Sequence, residues 1–448
     1  MEISKIKSVF FIGIGGIGMS ALARYFKFLG KNVAGYDRTP TQLTDELEEA
    51  GIDIHFEDNV ELLEEEYKDK EGTLVVITPA IPSSHKQWAY FKNNGFDIRK
   101  RAEVLGLITK DTYCFAVAGT HGKTTTTSIL GHLLFQANID VTAFVGGVVE
   151  NYQTNLIGSG TTVTVVEADE FDRSFLKLYP NTACITSTEA DHLDIFGTAD
   201  EMLTAFHDFA DKVEDKTRVF TADGVSLEGV RVGFAEDAKF RVANIKIVDG
   251  WYVFDIITPT EQIKDVRFGL PGHHNLSNAL VAFAMAYTYG VDKDLLVKGL
   301  ESFQGVRRRF SYKLRSEKLI YIDDYAHHPT EILAVSQAVH ELYGDKKIVA
   351  VFQPHLFSRT RDFMGEFAKA LSTFDNIVLL NIYPAREEPI EGITSAALLE
   401  DITSSNKELV AKESLINYLK GVEADVILTI GAGDIGEMVS EIKRELEN

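Results

Sequence analysis

The sequence predicts an α/β fold in three parts, each built on a mainly parallel sheet. Short apolar runs alternate with longer amphipathic stretches along the 448 residues, the pattern of strand–helix repetition. The alternation restarts twice, near residues 110 and 314. Two glycine-rich loops each follow an apolar run and precede a helical pattern, the place where α/β folds hold ligands.

The first part, 1–109, opens on a strand at 8–12, with further strands expected at 32–36 and 74–78. Its acidic segment, 57–71, reads as a solvated helix face. The second part, 110–313, begins with a strand at 113–118 and continues with strands at 163–167 and 183–186. A stretch at 219–268 is strand-rich and lacks helical periodicity. A helix follows at 276–289, where Leu276, Leu280, Phe283 and Tyr287 recur at helical spacing. The basic cluster Val306-Arg307-Arg308-Arg309-Phe310 marks the second boundary. The third part, 314–448, carries strands expected at 319–322, 347–352, 377–381 and 425–430. At about 150 residues per domain the length fits three domains, each able to bury its own core.

A net charge of −22 argues against a broad nucleic-acid surface, which needs clustered Lys and Arg. Small anionic ligands stay open, since a few local cations and helix N-termini suffice for them. Cys114 and Cys184 sit in apolar, strand-like runs and read as buried reduced thiols. No signal peptide and no apolar run long enough for membrane insertion is evident, so a cytoplasmic location is expected.

The run Gly119-Thr120-His121-Gly122-Lys123-Thr124-Thr125 lies between an apolar strand and a helical pattern. That context fits a phosphate-binding loop for ATP: glycines turn backbone N–H groups inward, Lys123 reaches the β- and γ-phosphates, and Thr124 offers a hydroxyl to Mg²⁺. Val117 stands where the general motif has its first glycine. Two acidic segments follow strands, Glu167-Ala168-Asp169-Glu170 and Asp191-His192-Leu193-Asp194. Mg²⁺ prefers oxygen ligands, so Glu167 is the natural candidate. By residue type alone His192 reads as a surface or hydrogen-bonding histidine.

Gly13, Gly15, Gly16 and Gly18, with Asp37 at the end of the next strand, outline a dinucleotide fingerprint. It signals a pyrophosphate at a helix N-terminus, which NAD and a UDP-sugar share. In the third part polar groups again gather at strand ends: Asp323 to Glu331, Gln353 to Arg361, and Gly431 to Asp434. The spacing of the paired histidines does not match a zinc centre.

Together these motifs, with Gly272-His273-His274-Asn275-Leu276-Ser277-Asn278-Ala279 and Arg308-Arg309-Phe310, resemble the ATP-dependent Mur ligases of peptidoglycan synthesis, over essentially the whole chain. The resemblance implies a UDP-binding Rossmann-like domain, a central ATPase domain and a C-terminal Rossmann-like domain. It implies a reaction in which the carboxylate of UDP-N-acetylmuramate attacks ATP to give an acyl phosphate, and the amine of L-alanine then displaces phosphate. By motif, Lys123 would stabilise the transferring phosphoryl group, and Thr124, Glu167 and His192 would hold Mg²⁺. Asn278, Arg309 and Asp324 would contact ATP along with the 119–125 loop. Gly13, Gly15, Gly16, Gly18 and Asp37 would hold the UDP moiety. Tyr325, His327, His355 and Arg359 would line the amino-acid side. Some members carry Arg where this chain has Leu356, which gives Arg359 more weight. A ligase adding a preformed peptide is the near alternative, and an NAD-dependent oxidoreductase the distant one.

Overall fold

A computed structural model describes residues 2–78, 80–189, 196, 198–248, 250–316, 318–385 and 387–447. Three sheets organise the chain, as expected. The first has five strands in the order Asp53–His55, Asn32–Tyr36, Ser8–Ile12, Thr73–Ile77, Asp97–Lys100, all parallel. Ser8–Ile12 is buried at every position. That explains the unbroken apolar run at 9–12: a central parallel strand is covered on both faces and has no solvent side to alternate with.

The second sheet has ten strands and centres on Tyr113–Ala118, flanked by Thr182–Ile185 and Val163–Ala168, both parallel to it. Beyond Thr182–Ile185 lie Val219–Ala222, Val230–Gly233, Phe240–Val248, Trp251–Ile257 and Gln262–Phe268, which accounts for the strand-rich stretch. Beyond Val163–Ala168 lie Val141–Val149 and the antiparallel edge strand Thr154–Gly158. The third sheet runs Ser311–Arg315, Ile320–Asp324, Val426–Ile430, Ile348–Phe352, Asn376–Leu379, Asn406–Leu409, parallel except for its first pair.

The acidic segment 57–71 departs from expectation. It forms two short 3₁₀ turns, Val60–Leu62 and Glu65–Tyr67, rather than a helix face. Leu63 and Tyr67 turn inward and are buried, so the segment is anchored at two points instead of lying along one stripe. The helix expected at 276–289 starts a turn earlier and spans His273–Tyr289.

By internal contacts the chain divides into two compact units. One holds residues 1–246, 253–268 and 277–304, and the other 247–252, 269–276 and 305–448. The first unit joins the first sheet and most of the second around one core that includes Phe11, Phe26, Ala116, Val166 and Phe206. Asn155 ties them further, donating to Ser20 Oγ at 2.9 Å and to the Ile17 carbonyl at 2.5 Å. The second unit packs apolar clusters on its sheet, with Phe352 and Leu428 in one and Val351 and Ile427 in another, as alternate residues of a strand face opposite sides. Among the described residues no helix is long and apolar enough to cross a membrane. Cys114 and Cys184 are free and buried, and burial pushes both thiols up, Cys114 to about 12.

Candidate active site

The strand Tyr113–Ala118 is buried from Cys114 onward and delivers the chain to Gly119 at the C-terminal edge of the sheet. Gly119 and Gly122 have φ of +131° and +84°, where a Cβ is disfavoured. A Cβ on Gly122 would stand 2.6 Å from Asn278 Oδ1, and one on Gly119 would run into Thr186 and Ser187. The loop is tied to the neighbouring strand end by Thr120 N donating to the Ser187 carbonyl at 3.0 Å. The helix Lys123–Gln136 begins without a side-chain cap, so its first N–H groups and partial positive charge remain available to an anion.

Lys123 Nζ donates to the Gly119 carbonyl at 2.6 Å and to both Glu170 carboxylate oxygens at 2.9 Å. Burial alone would lower the ammonium pKa, but Glu170, Asp169 and Glu167 hold it above its usual value. Thr124 Oγ1 donates to Glu167 Oε2 at 3.1 Å, and Gly146 N donates to Glu167 Oε1. Burial pushes the Glu167 carboxyl up, against the pull of Gly146, Lys123, Thr124 and Arg101. Thr126 Oγ1 donates to Asn278 Oδ1 at 3.2 Å, which places Asn278 against the first turn of the helix behind the loop. Thr125 is buried in the first helical turn, and His121 Nε2 lies 3.4 Å from Glu189. His192 lies outside the described residues. Glu170 and Arg101 carry no role in the sequence reading. Glu170 stood in a segment singled out for its neighbour Glu167, whereas nothing local marked Arg101.

The first glycine loop lies at the corresponding edge of the first sheet. Gly13, with φ of +88°, donates its N–H to the Tyr36 carbonyl at 2.7 Å. Gly15 N donates to Asp37 Oδ2 at 2.7 Å, so Asp37 braces the loop itself. Gly16 caps the helix Ile17–Phe28 without a side-chain bond. Gly18 lies under Arg101: a Cβ there would be 2.8 Å from Arg101 Cδ. A cavity of about 300 Å³ joins the two loops, with Ile17, Gly18, Arg101, Lys123, Phe144 and Glu167 among its walls.

In the second unit, Asp324 is buried and its oxygens accept from Phe310 N at 2.6 Å and Ala326 N at 2.7 Å. Burial pushes its carboxyl up to about 6 despite Arg309 and those bonds. Arg309 lies over the Tyr325 ring, 5.3 Å from its centre, and 3.9 Å from Glu331. Glu331 Oε2 accepts from His327 N at 2.9 Å at the start of the helix Pro329–Tyr343. The rings of Tyr325 and His327 lie 5.3 Å apart and those of His327 and His355 6.2 Å apart, so three of the four expected amino-acid-side residues form one cluster. Burial lowers the His327 pKa, and the charge of Arg359 adds to that, which puts the fourth within electrostatic reach. Leu356 has φ of +73° just before the helix Phe357–Asp362 that carries Arg359.

Three mainly parallel α/β sheets, with an uncapped helix and a phosphate loop at one strand end, define a nucleotide-dependent enzyme of the phosphate-loop class. Family models match along the chain in order: Mur ligase family, catalytic domain, at 8–113; Mur ligase middle domain at 117–286; and Mur ligase, glutamate ligase domain, at 308–433. The UDP-N-acetylmuramate–L-alanine ligase of Flavobacterium psychrophilum is 63% identical over 447 residues, covering 100% of both chains. That of Flavobacterium johnsoniae is 62% identical over 446 residues, covering 100% of this chain and 99% of its own. The crystal structure of UDP-N-acetylmuramate–alanine ligase from Thermotoga maritima matches with a TM-score of 0.82 at 27% identity, covering 98% of this chain and 99% of that one. The chain belongs to the Mur ligase family.

Proposed function

We propose that this chain joins L-alanine to the carboxylate of UDP-N-acetylmuramate at the expense of ATP, in peptidoglycan synthesis. The observation that carries the reading is the cavity shared by the two loops: Gly18, in the first turn of the helix behind the first, and Lys123, at the end of the second, line the same space. A nucleotide sugar held at the first loop would extend its acid group toward a nucleotide triphosphate held at the second.

The substrate carboxylate oxygen attacks the γ-phosphorus of ATP, the bond to the β-phosphate oxygen breaks, and ADP leaves. The alanine amine, attacking as free NH2, then adds to the acyl carbon, the C–O bond to phosphate breaks, and the nitrogen gives up one proton to water and keeps the other as the amide N–H. Lys123 neutralises charge on the transferring group, and the uncapped helix N-terminus receives the phosphates. Asn278, Arg309 and Asp324 serve the nucleotide. Gly13, Gly15, Gly16, Gly18 and Asp37 serve the UDP moiety, and Tyr325, His327, His355 and Arg359 the amino acid.

The Thr124 hydroxyl and the half-buried Glu167 carboxylate fit Mg²⁺, since both are hard oxygen donors and Glu167 faces the cavity in a partly desolvated place that favours a countercharge. When bound, the ion would neutralise charge on the phosphates; His192 is the third proposed ligand. The domains are proposed as 1–109, 110–313 and 314–448, and the location as cytoplasmic, where buried thiols stay reduced.

Phosphate release is to be measured with ATP, Mg²⁺ and UDP-N-acetylmuramate, adding L-alanine, glycine, L-serine or a tripeptide one at a time. Turnover with alanine is expected. Turnover with the tripeptide alone replaces this reading by a peptide-adding ligase, and turnover of NADH by the oxidoreductase.

A further inference from the structure

The cavity between the two loops poses an electrostatic problem. Glu167 and Asp169 both line it, so a substrate carboxylate entering there meets two acidic side chains. Like charges in a partly desolvated space repel strongly; the proposed Mg²⁺ would answer Glu167 and the phosphates, and with Asp169 still on the wall a further carboxylate needs a cation of its own. Lys123 is committed elsewhere, to both oxygens of Glu170 and to the Gly119 carbonyl. The remaining cation on the cavity wall is Arg101.

The Arg101 guanidinium makes no hydrogen bond among the described residues, and its nearest acidic oxygen, Asp169 Oδ2, is 3.7 Å from NH2. Its side chain is 31% exposed. It starts the helix Arg101–Lys110 and lies flat over Gly18, where a Cβ would stand 2.8 Å from Cδ and 2.9 Å from NH1. Glycine at 18 therefore keeps open the path of the arginine. A guanidinium with unspent donors on a cavity wall matches a carboxylate in shape and charge, because its parallel N–H groups meet both oxygens at once.

We propose that Arg101 binds the reacting carboxylate of the sugar nucleotide and holds it beside Lys123. The assignment rests on the substrate reading above and adds a residue to it. Arg101 thereby selects for the acid-bearing sugar over the same sugar nucleotide without the acid.

The test is calorimetric titration of the full chain, as wild type, Arg101→Ala, Arg101→Gln and Arg101→Lys, with UDP-N-acetylmuramate, UDP-N-acetylglucosamine and UDP. The wild type is expected to prefer the acid-bearing ligand. Arg101→Ala and Arg101→Gln should weaken that ligand alone, by roughly 10- to 100-fold, the scale of one charge-assisted pair. Arg101→Lys should recover part of the loss. ATP affinity and melting temperature serve as folding controls, and Arg101→Gln keeps the test intact if the alanine variant fails to fold. An equal fall for all three ligands would assign Arg101 to the diphosphate and overturn the proposal, as would no change in any. A wild type that binds none of the three overturns the substrate reading itself.

Discussion

Glu170 holds Lys123 in a two-pronged grip, both carboxylate oxygens 2.9 Å from Nζ, and Glu170 is fully buried. The phosphate-loop lysine is thus oriented by an acidic partner 47 positions away. Removing either member alone strands the other, and a buried unpaired charge costs about 3–5 kcal/mol. Lys123→Ala should abolish acyl-phosphate formation and lower the urea midpoint, while UDP-N-acetylmuramate binding persists. Lys123→Ala combined with Glu170→Gln should recover most of the stability and none of the activity. Loss of sugar-nucleotide binding in both variants would mean that the lysine supports the unit's structure rather than its chemistry.

Gly119 takes a backbone conformation closed to side chains, and its missing Cβ makes room for Thr186 and Ser187. Gly119→Ala is expected to cost about 1–3 kcal/mol in strain and to weaken ATP at least tenfold by moving the loop. Binding of UDP-N-acetylmuramate should change little. Equilibrium titration of each ligand separates the two effects, and unchanged ATP affinity would refute the loop's role.

Asp324 gives a pH signature. Its carboxyl is raised from 3.8 to about 6 in the folded chain by burial. Between those values the folded state binds the extra proton, so stability contributed by this group falls as pH rises from about 4 to 6 and levels off above. Asp324→Asn removes the titration and should flatten that limb when urea midpoints are compared with wild type across pH 4 to 7. Parallel profiles for the two proteins would show that Asp324 ionises freely. At neutral pH the variant should also lose affinity for ATP if the side chain serves the nucleotide.

Arg359 lies near enough to depress His327 electrostatically, on the helix that follows the strained Leu356. Arg359→Ala should raise the KM for L-alanine tenfold or more, by the scale of a charge-assisted hydrogen bond, with little change in the KM for ATP. Initial rates with each substrate varied in turn check this, and an unchanged alanine KM and kcat would remove the residue from that side.

Features with local causes were legible in the residues themselves. The run Ser-Val-Phe-Phe-Ile at 8–12 has no polar alternation and forms a strand buried throughout. Gly119 and Gly122 adopt the backbone that glycine permits, at the strand–helix junction where they were expected. Edges were harder to read. Asn406–Leu409 is exposed at every position, and Asp53–His55 has three residues, so neither carries a periodic signal. The turns at 60–67 are held by two buried side chains, an arrangement that composition does not reveal. Which strands and side chains meet was set by long-range packing. Strand Tyr113–Ala118 pairs with Val163–Ala168 instead of with the next strand in sequence, and that order delivers Glu170 to Lys123. The helix at Arg101 packs where its side chain crosses Gly18. Asp324 spends its oxygens on backbone amides. Strand order and desolvation act between residues far apart in the chain, whereas glycine conformation and apolar runs act between neighbours; only the latter can be read in a line of letters.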